Sequence, residues 1–490
     1  MTSLAETIGA ARALDEEGRP ADALELAWTA LERAPDDLDA KRLVAALLKR
    51  EPGLAVSDRR EALERLLSDP DVDPVQVAPA GWRSLLAEWG SLADPSAEPG
   101  ALARAVESGT LALRLLGETH VTVLDAEIVL TRLRRWLLLS GRWREFPRLT
   151  AALAAQAVHN GGAWPFDDDE REALDLDPGA AMAVAYRPPR PAPAPTAEFI
   201  HPVTRRVADQ YRIWPYPTWS RVAAVAPTTI DRFLAKFDGG RATGLPVAGE
   251  VLVAGCGTGR EAAINALRFP GSNVTGIDVS EASLAYAAER CRVLGLQRID
   301  FRLLDLHKVG ELGRAFDYII ASGVLHHLPD PEAGWARLAE VLSPGGAMQV
   351  MLYSKIARLN VRAAQSLIAD LRDRPVDDDL LREVRRRLID KGRRLIAGST
   401  DFYSLAGVHD LLLHRHEDAF DVPRIVRALD SLGLELLAFD LPTPLARARY
   451  RREHPHDPHF RDTAAWGALE KRQPSLFSGM YKFWCRKPGR

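Results

Sequence analysis

Residues 251–261 read VLVAGCGTGRE: an apolar run ends in a glycine-rich turn and then enters a helix. Gly255 permits a tight exit from the strand, Gly257 removes a side chain where backbone must approach a ligand, and Gly259 lets the following helix come close. N–H groups exposed at the start of that helix suit an anionic ligand group. The spacing is not that of a dinucleotide fingerprint, GxGxxG, because the sixth position is Arg260. Asp278 closes the next apolar run in GIDVS. A carboxylate there can accept from both hydroxyls of a ribose and would repel a 2′-phosphate. Asp305 closes a third run and can accept from an exocyclic amine such as that of adenine. Ser322 and Gly323 close a fourth, at the rim where parallel sheets bind ligands, or they are simply its polar end. His326 and His327 follow at once; either could act as a general base, and one could instead pack under the next helix.

These residues need a scaffold that delivers several strand ends to one edge. The chain from 250 onward supplies strand and helix in alternation: strands at 250–255, 272–280, 299–306, 316–325 and 347–354, with helices at 260–268, 281–295 and 331–342. A helix at 421–433 and strands at 434–441 and 480–487 follow. This alternation predicts a doubly wound α/β sheet. Residues 356–418 read as a helical, charge-rich insertion. Ahead of the sheet, 1–175 shows apolar residues at three- and four-residue spacing, as in VLTRLRRWLLL, with breaks at turn signals. Five prolines between 188 and 195 oppose a helix, which makes 176–200 the expected linker.

Composition narrows the class. The chain has 490 residues, 47% hydrophobic and 27% charged, too long for one ordinary core and too apolar for a disordered chain. Net charge is -3, so no bulk attraction to nucleic acid or anionic lipid is expected. No apolar stretch nears the roughly 20 residues of a bilayer span, and the first residues lack a signal-peptide pattern. The three cysteines, Cys256, Cys291 and Cys485, show no metal spacing and suit a reducing, cytoplasmic compartment. The balance hides a split, -10 over 1–350 and +7 over 351–490. Arginine far outnumbers lysine, which fits either anion binding by guanidinium groups or a GC-rich genome.

The ordered motifs resemble the class I S-adenosylmethionine-dependent methyltransferases. VLVAGCGTG is similar to their glycine-rich first motif, GIDVS to their second-strand acid and LLDL (303–306) to their adenine-side motif. FDYIIASGVLHHLPDPEAGWARLAEVLSPGG is similar to their fourth strand and the helix after it. The resemblance implies a Rossmann-like, seven-stranded sheet whose last strand is antiparallel and inserted between the fifth and sixth; MYKFWCRK fits that strand. It implies S-adenosylmethionine as methyl donor, with Gly255, Gly257 and Gly259 at its methionine end, Asp278 at the ribose, Asp305 at the adenine, and Ser322 and Gly323 at the rim. Residues 4–37 resemble a tetratricopeptide repeat, with Gly18 in the turn, Ala23, Ala27, Ala30 and Leu31 at small and apolar positions and Pro35 at the end. HPVTRRVADQYRIWPYPTW (201–219), LLLHRHEDAF (411–420) and FSGMYKFW (477–484) are similar to segments of bacterial tetratricopeptide-repeat methyltransferases. Ile213-Trp214 stands where that family has a more polar pair.

The expected domains are therefore a helical tetratricopeptide-like domain over 1–175, a linker over 176–200 and a methyltransferase domain over 201–490 carrying the 356–418 insertion. Tyr211, Trp214, Tyr216 and Trp219 could form a lid over the cofactor or an aromatic plug between linker and sheet. His414, His416 and Glu417 diverge too much for a metal, and none is assigned; His414 is expected to line a pocket. Arg447, Arg449, Arg451 and Arg452 are either a loop that steers an acidic substrate or plain surface. The acceptor could be a protein or peptide brought by the helical repeats, or a small molecule. A non-catalytic S-adenosylmethionine-binding scaffold whose repeats bind a protein partner is the alternative, and an NAD dehydrogenase is disfavoured by the glycine spacing.

Overall fold

The computed structural model describes all residues except 1, 55–58, 177–178, 190–200, 241–243, 393–395, 397, 475, 478 and 490. Contacts divide the chain into two compact units. One holds Met1–Pro191, Ser220–Ala224 and Ala363–Leu413; the other holds Ala192–Trp219, Val225–Arg362 and His414–Arg490.

The second unit contains a seven-stranded sheet: β1 (Glu250–Ala254), β2 (Asn273–Asp278), β3 (Asp300–Leu303), β4 (Phe316–Ser322), β5 (Leu342–Tyr353), β6 (Glu435–Asp440) and β7 (Met480–Arg486). Their order is β3-β2-β1-β4-β5-β7-β6. β1 to β5 are parallel, and β7 runs antiparallel between β5 and β6. The doubly wound sheet and the place of its last strand agree with the sequence reading. β1 shows why the strands read as near-continuous apolar runs. Val251 and Val253 enter one core, Leu252 and Ala254 the other, so both faces are covered. Strand order reverses between β1 and β4, the switch point at which a parallel sheet opens a crevice at its carboxyl ends. Buried Asp238 ties β7 in, pairing with Arg486 at 2.7 Å and with Arg461 at 2.7 Å.

The first unit is helical. The Leu4–Glu16 and Pro20–Arg33 helices pack against each other across a turn at Gly18, whose φ of 81° favours glycine. Ala23, Ala27 and Ala30 are fully buried between them, where small side chains allow close approach. Residues 180–186, expected in the linker, form a helix whose Met182 and Tyr186 are fully buried. The rest of the proline run, 190–200, lies outside the described residues. Ala363–Leu413, expected as an insertion in the sheet-bearing domain, packs with the N-terminal helices.

An ion pair accounts for that placement. Arg385 of the Asp378–Lys391 helix is fully buried and gives Glu127 two hydrogen bonds of 2.8 and 2.9 Å. It also donates to the carbonyls of Phe402 and Ala163. Every polar edge of the guanidinium is thus engaged, the condition under which a buried charge is tolerated. Arg134, equally buried, donates to the carbonyls of Ala185 and Pro165 and lies 3.7 Å from the Tyr186 ring centroid. Arg385 and Arg134 therefore hold helices of this unit together.

Glu127→Gln would leave the Arg385 charge buried without its counter-ion, at a cost of about 3–5 kcal/mol. Hydrogen exchange should show 124–139 and 378–391 losing protection together. Arg337→Ala, at an exposed pair with Glu340, should change stability by about 1 kcal/mol or less. Equal effects of the two substitutions would contradict the fastening role.

Candidate functional site

The turn after β1 brings the glycines together in left-handed conformations: φ is 63° at Gly255, 51° at Gly257 and 82° at Gly259. Added side chains would also collide. A Cβ at Gly255 would lie 2.4 Å from Val324, and one at Gly259 2.6 Å from Ala287. Gly259 therefore allows the Glu281–Val293 helix to come close, whereas the sequence reading expected the approach of the helix that directly follows the turn. Gly257 is met by protein backbone: its Cβ would lie 3.1 Å from the Tyr216 carbonyl.

Asp278 ends β2 beside this turn. One carboxylate oxygen accepts from the Gly257 N–H at 2.8 Å, the other from the Ser280 N–H at 2.8 Å. Burial pushes its carboxyl above the usual range, against the pull of those N–H groups. Asp305 follows β3 and accepts from the His307 N–H at 3.0 Å while capping the Leu306–Leu312 helical turn. Burial raises its carboxyl, but His307 beside it holds it below the usual range. Ser322 ends β4, its hydroxyl accepting from the Gln349 amide at 3.1 Å. Gly323, at φ 73°, borders open space: nothing lies within 4 Å of an added Cβ. The carboxyl ends of β1, β2 and β4 thus converge on the switch point, with Asp305 one strand further out.

The aromatic segment is fastened onto the glycine turn. Trp219 gives its indole N–H to the Thr258 carbonyl at 2.9 Å, and the Thr258 hydroxyl bonds the Pro217 carbonyl. Tyr286 bonds both the N–H and the carbonyl of Trp219, at 3.0 and 2.8 Å. Trp214 and Trp219 are buried; Tyr211 and Tyr216 are half-buried. Thr258 and Tyr286 were missed in sequence. Thr258 sits inside the glycine motif, where attention falls on the glycines, and Tyr286 belongs to an ordinary helix. Cys256 is buried within the turn.

Past β4, His326 and His327 meet a second cluster. His326 is fully buried, stacks on Tyr353 at 3.8 Å and accepts the Tyr353 N–H on Nδ1 at 3.3 Å. Its neutral ring therefore carries the proton on Nε2, which has no partner among the described residues. His327 gives its Nδ1–H to the His416 carbonyl at 2.9 Å. His414 stacks on His327 at 3.7 Å and meets the Tyr211 hydroxyl at 3.4 Å. Glu417 pairs with Arg358, whose guanidinium lies 3.8 Å from the Tyr353 ring centroid. Tyr353 and Arg358 were also missed, because only the fold brings them to the histidines.

Arg447, Arg449, Arg451 and Arg452 lie on the Pro444–Glu453 helix, not in a loop. Arg447 reaches Asp440 and the Leu441 carbonyl, and Arg449 pairs with Glu453.

Burial holds the His326 pKa well below its ordinary 6.5, with His327, Arg358 and His414 adding repulsion. The unfolded chain therefore binds a proton that the folded chain refuses. Stability should fall as pH drops below about 6.5 toward the depressed folded value. His326→Asn should flatten that slope in thermal midpoints taken against pH; a parallel slope in the variant would contradict a neutral, buried His326.

Residues 252–348 match the methyltransferase domain model. An uncharacterised protein of Synechococcus is 34% identical over 203 residues, covering 39% of this chain and 48% of the relative. Trans-aconitate 2-methyltransferase of Variovorax paradoxus is 38% identical over 108 residues, covering 22% and 40%. Ubiquinone biosynthesis O-methyltransferase of Rhizobium rhizogenes is 30% identical over 160 residues, covering 31% and 63%. The chain spans less than half the length of the first two of these relatives. Among solved structures, PKMT2 from Rickettsia typhi gives a TM-score of 0.41 at 15% identity, covering 53% of this chain and 54% of that one. No helix among the described residues is long and apolar enough to cross a membrane. Taken with the strand order, the glycine turn and the acids closing β2 and following β3, the match makes this part of the chain a class I, S-adenosylmethionine-dependent methyltransferase domain.

Proposed function

We propose that the whole chain is an S-adenosylmethionine-dependent methyltransferase of the tetratricopeptide-repeat type, acting on a hydroxyl or amine held beside His326 and His327. The observation that carries this reading is the place of the histidine pair immediately past β4, at the carboxyl edge of the sheet beside Gly323, where an added Cβ would meet nothing within 4 Å. His327 is the member of the pair offered as base.

The glycine turn fits the cofactor. Its backbone cannot take side chains, and the half-buried Asp278 carboxylate has only N–H partners among the described residues, which suits hydroxyl donors. In this reading Gly255, Gly257 and Gly259 hold the methionine end, Asp278 the ribose and Asp305 the adenine, with Ser322 and Gly323 at the rim. When bound, S-adenosylmethionine supplies a methyl group on a sulfonium, whose departing thioether is neutral and needs no acid. His327 would take the acceptor's proton. His326, fully buried behind it, packs edge to face on His327 at 4.3 Å and positions that ring. Trp214, Tyr216 and Trp219 keep water from the cofactor as a lid, and Tyr211 orients His414 beside His327.

The relatives named above for trans-aconitate and ubiquinone biosynthesis act on small molecules by their names, which supports a small acceptor. We also propose a protein-docking role for the helical unit, supported by its charged depression lined by Glu61, Glu64, Arg65, Asp69 and Arg114. Deleting 1–175 cannot test it, because that removes Glu127 from Arg385.

A mass search of metabolites and peptides in a deletion strain should find a species that gains one methyl group only when the gene is restored. With that acceptor, His327→Ala should lower kcat by about 10²–10⁴ while S-adenosylmethionine affinity holds. Unchanged kcat would remove His327 as base. Restoration with Asp278→Ala should leave the acceptor unmethylated.

A further inference from the structure

The geometry points to a second site, independent of the methyltransferase reading: His454, His456 and Asp462 form a binding site for a divalent transition ion of the zinc class. The three lie in HPHDPHFRD (454–462), between the Pro444–Glu453 and Thr463–Arg472 helices. One ligand atom from each, two imidazole nitrogens and one carboxylate oxygen, lies within 4.8 Å of the others. His456 Nε2 and Asp462 Oδ2 are 3.2 Å apart. Two ligands each about 2.0–2.1 Å from one ion at a tetrahedral angle stand at close to that separation. Imidazole with carboxylate suits zinc, nickel or copper over calcium or magnesium.

The ligands are held before any ion arrives. His454 stacks on Tyr450 at 4.6 Å, and Tyr450 stacks on Trp466 at 4.1 Å with the rings nearly parallel. Asp462 spends one oxygen on the Ala465 N–H, capping its helix, and turns the other toward His456. Between them, buried Asp457 accepts from the Tyr450 hydroxyl and from the N–H groups of Arg461 and Asp462. Such outer partners orient ligands and raise affinity. His459 turns away, its ring against Gly239, so the protein gives three ligands and leaves one tetrahedral position to water.

The place in the fold suggests a use. β6 is an edge strand, and the Phe460 carbonyl of this loop accepts the Phe439 N–H of β6 at 3.0 Å. An ion joining 454 to 462 would close the loop that stitches the edge of the sheet, and edges left open invite pairing with other chains.

Titration of the full chain with zinc chloride, after stripping with chelator, tests this by calorimetry. The three cysteines are buried and do not compete. The wild type should bind zinc with a component of one equivalent, and the thermal midpoint should rise with zinc. His456→Ala changes an exposed side chain and should keep its chelator-stripped midpoint. It should lose that component or weaken it at least by the ~10–100-fold that an outer-shell change costs. Asp462→Asn, which can still cap the helix, should do the same. Absence of saturable binding in the wild type, or an unchanged component in both variants, would overturn the proposal.

Discussion

The short hydrogen bond from the Gly257 N–H to the Asp278 carboxylate is the contact on which the site depends. It fixes the turn after β1 to the end of β2, at the point where strand order reverses. The carboxylate is half-buried at the end of β2, so its N–H partners matter: a poorly satisfied charge there is costly. The turn must then adopt three left-handed residues, which only glycine supplies cheaply. With no side chain at Gly257, the Tyr216 carbonyl can approach, and the aromatic segment is held over the turn through Thr258 and Tyr286. Cradle, acid and cover are thus one connected arrangement.

A second constraint organises the helical unit. Arg385 and Glu127 stand 258 residues apart in sequence, and both are buried. Neither tolerates the interior alone, so the 363–413 segment must fold with the N-terminal helices. In sequence the chain leaves after β5, joins the helical unit, and returns at His414, the residue that stacks on His327.

Much of this was legible. Strands buried on both faces read as unbroken apolar runs, and the helix between β1 and β2 begins and ends at the expected residues, Arg260 and Arg268. Glycine spacing located the turn, because backbone conformation there depends on residue type and not on distant partners. What depended on distant partners was hidden. The charge-rich pattern of 356–418 could not reveal which arginine would be buried, or against what. The arginines at 447–452 looked like a loop because their helix has little apolar patterning of its own. Tyr353 and Arg358 gained meaning only once β4 and β5 were paired. The residues at 180–186 were overshadowed by the prolines that follow them.

The central claim is that the turn after β1 and Asp278 form a cofactor cradle within a methyltransferase. Calorimetric titration of the full chain with S-adenosylmethionine tests it most directly, alongside Asp278→Ala. The account predicts saturable binding at one equivalent in the wild type and its loss in the variant while the fold persists. A folded wild type that does not bind, or a variant that binds as well, would contradict it.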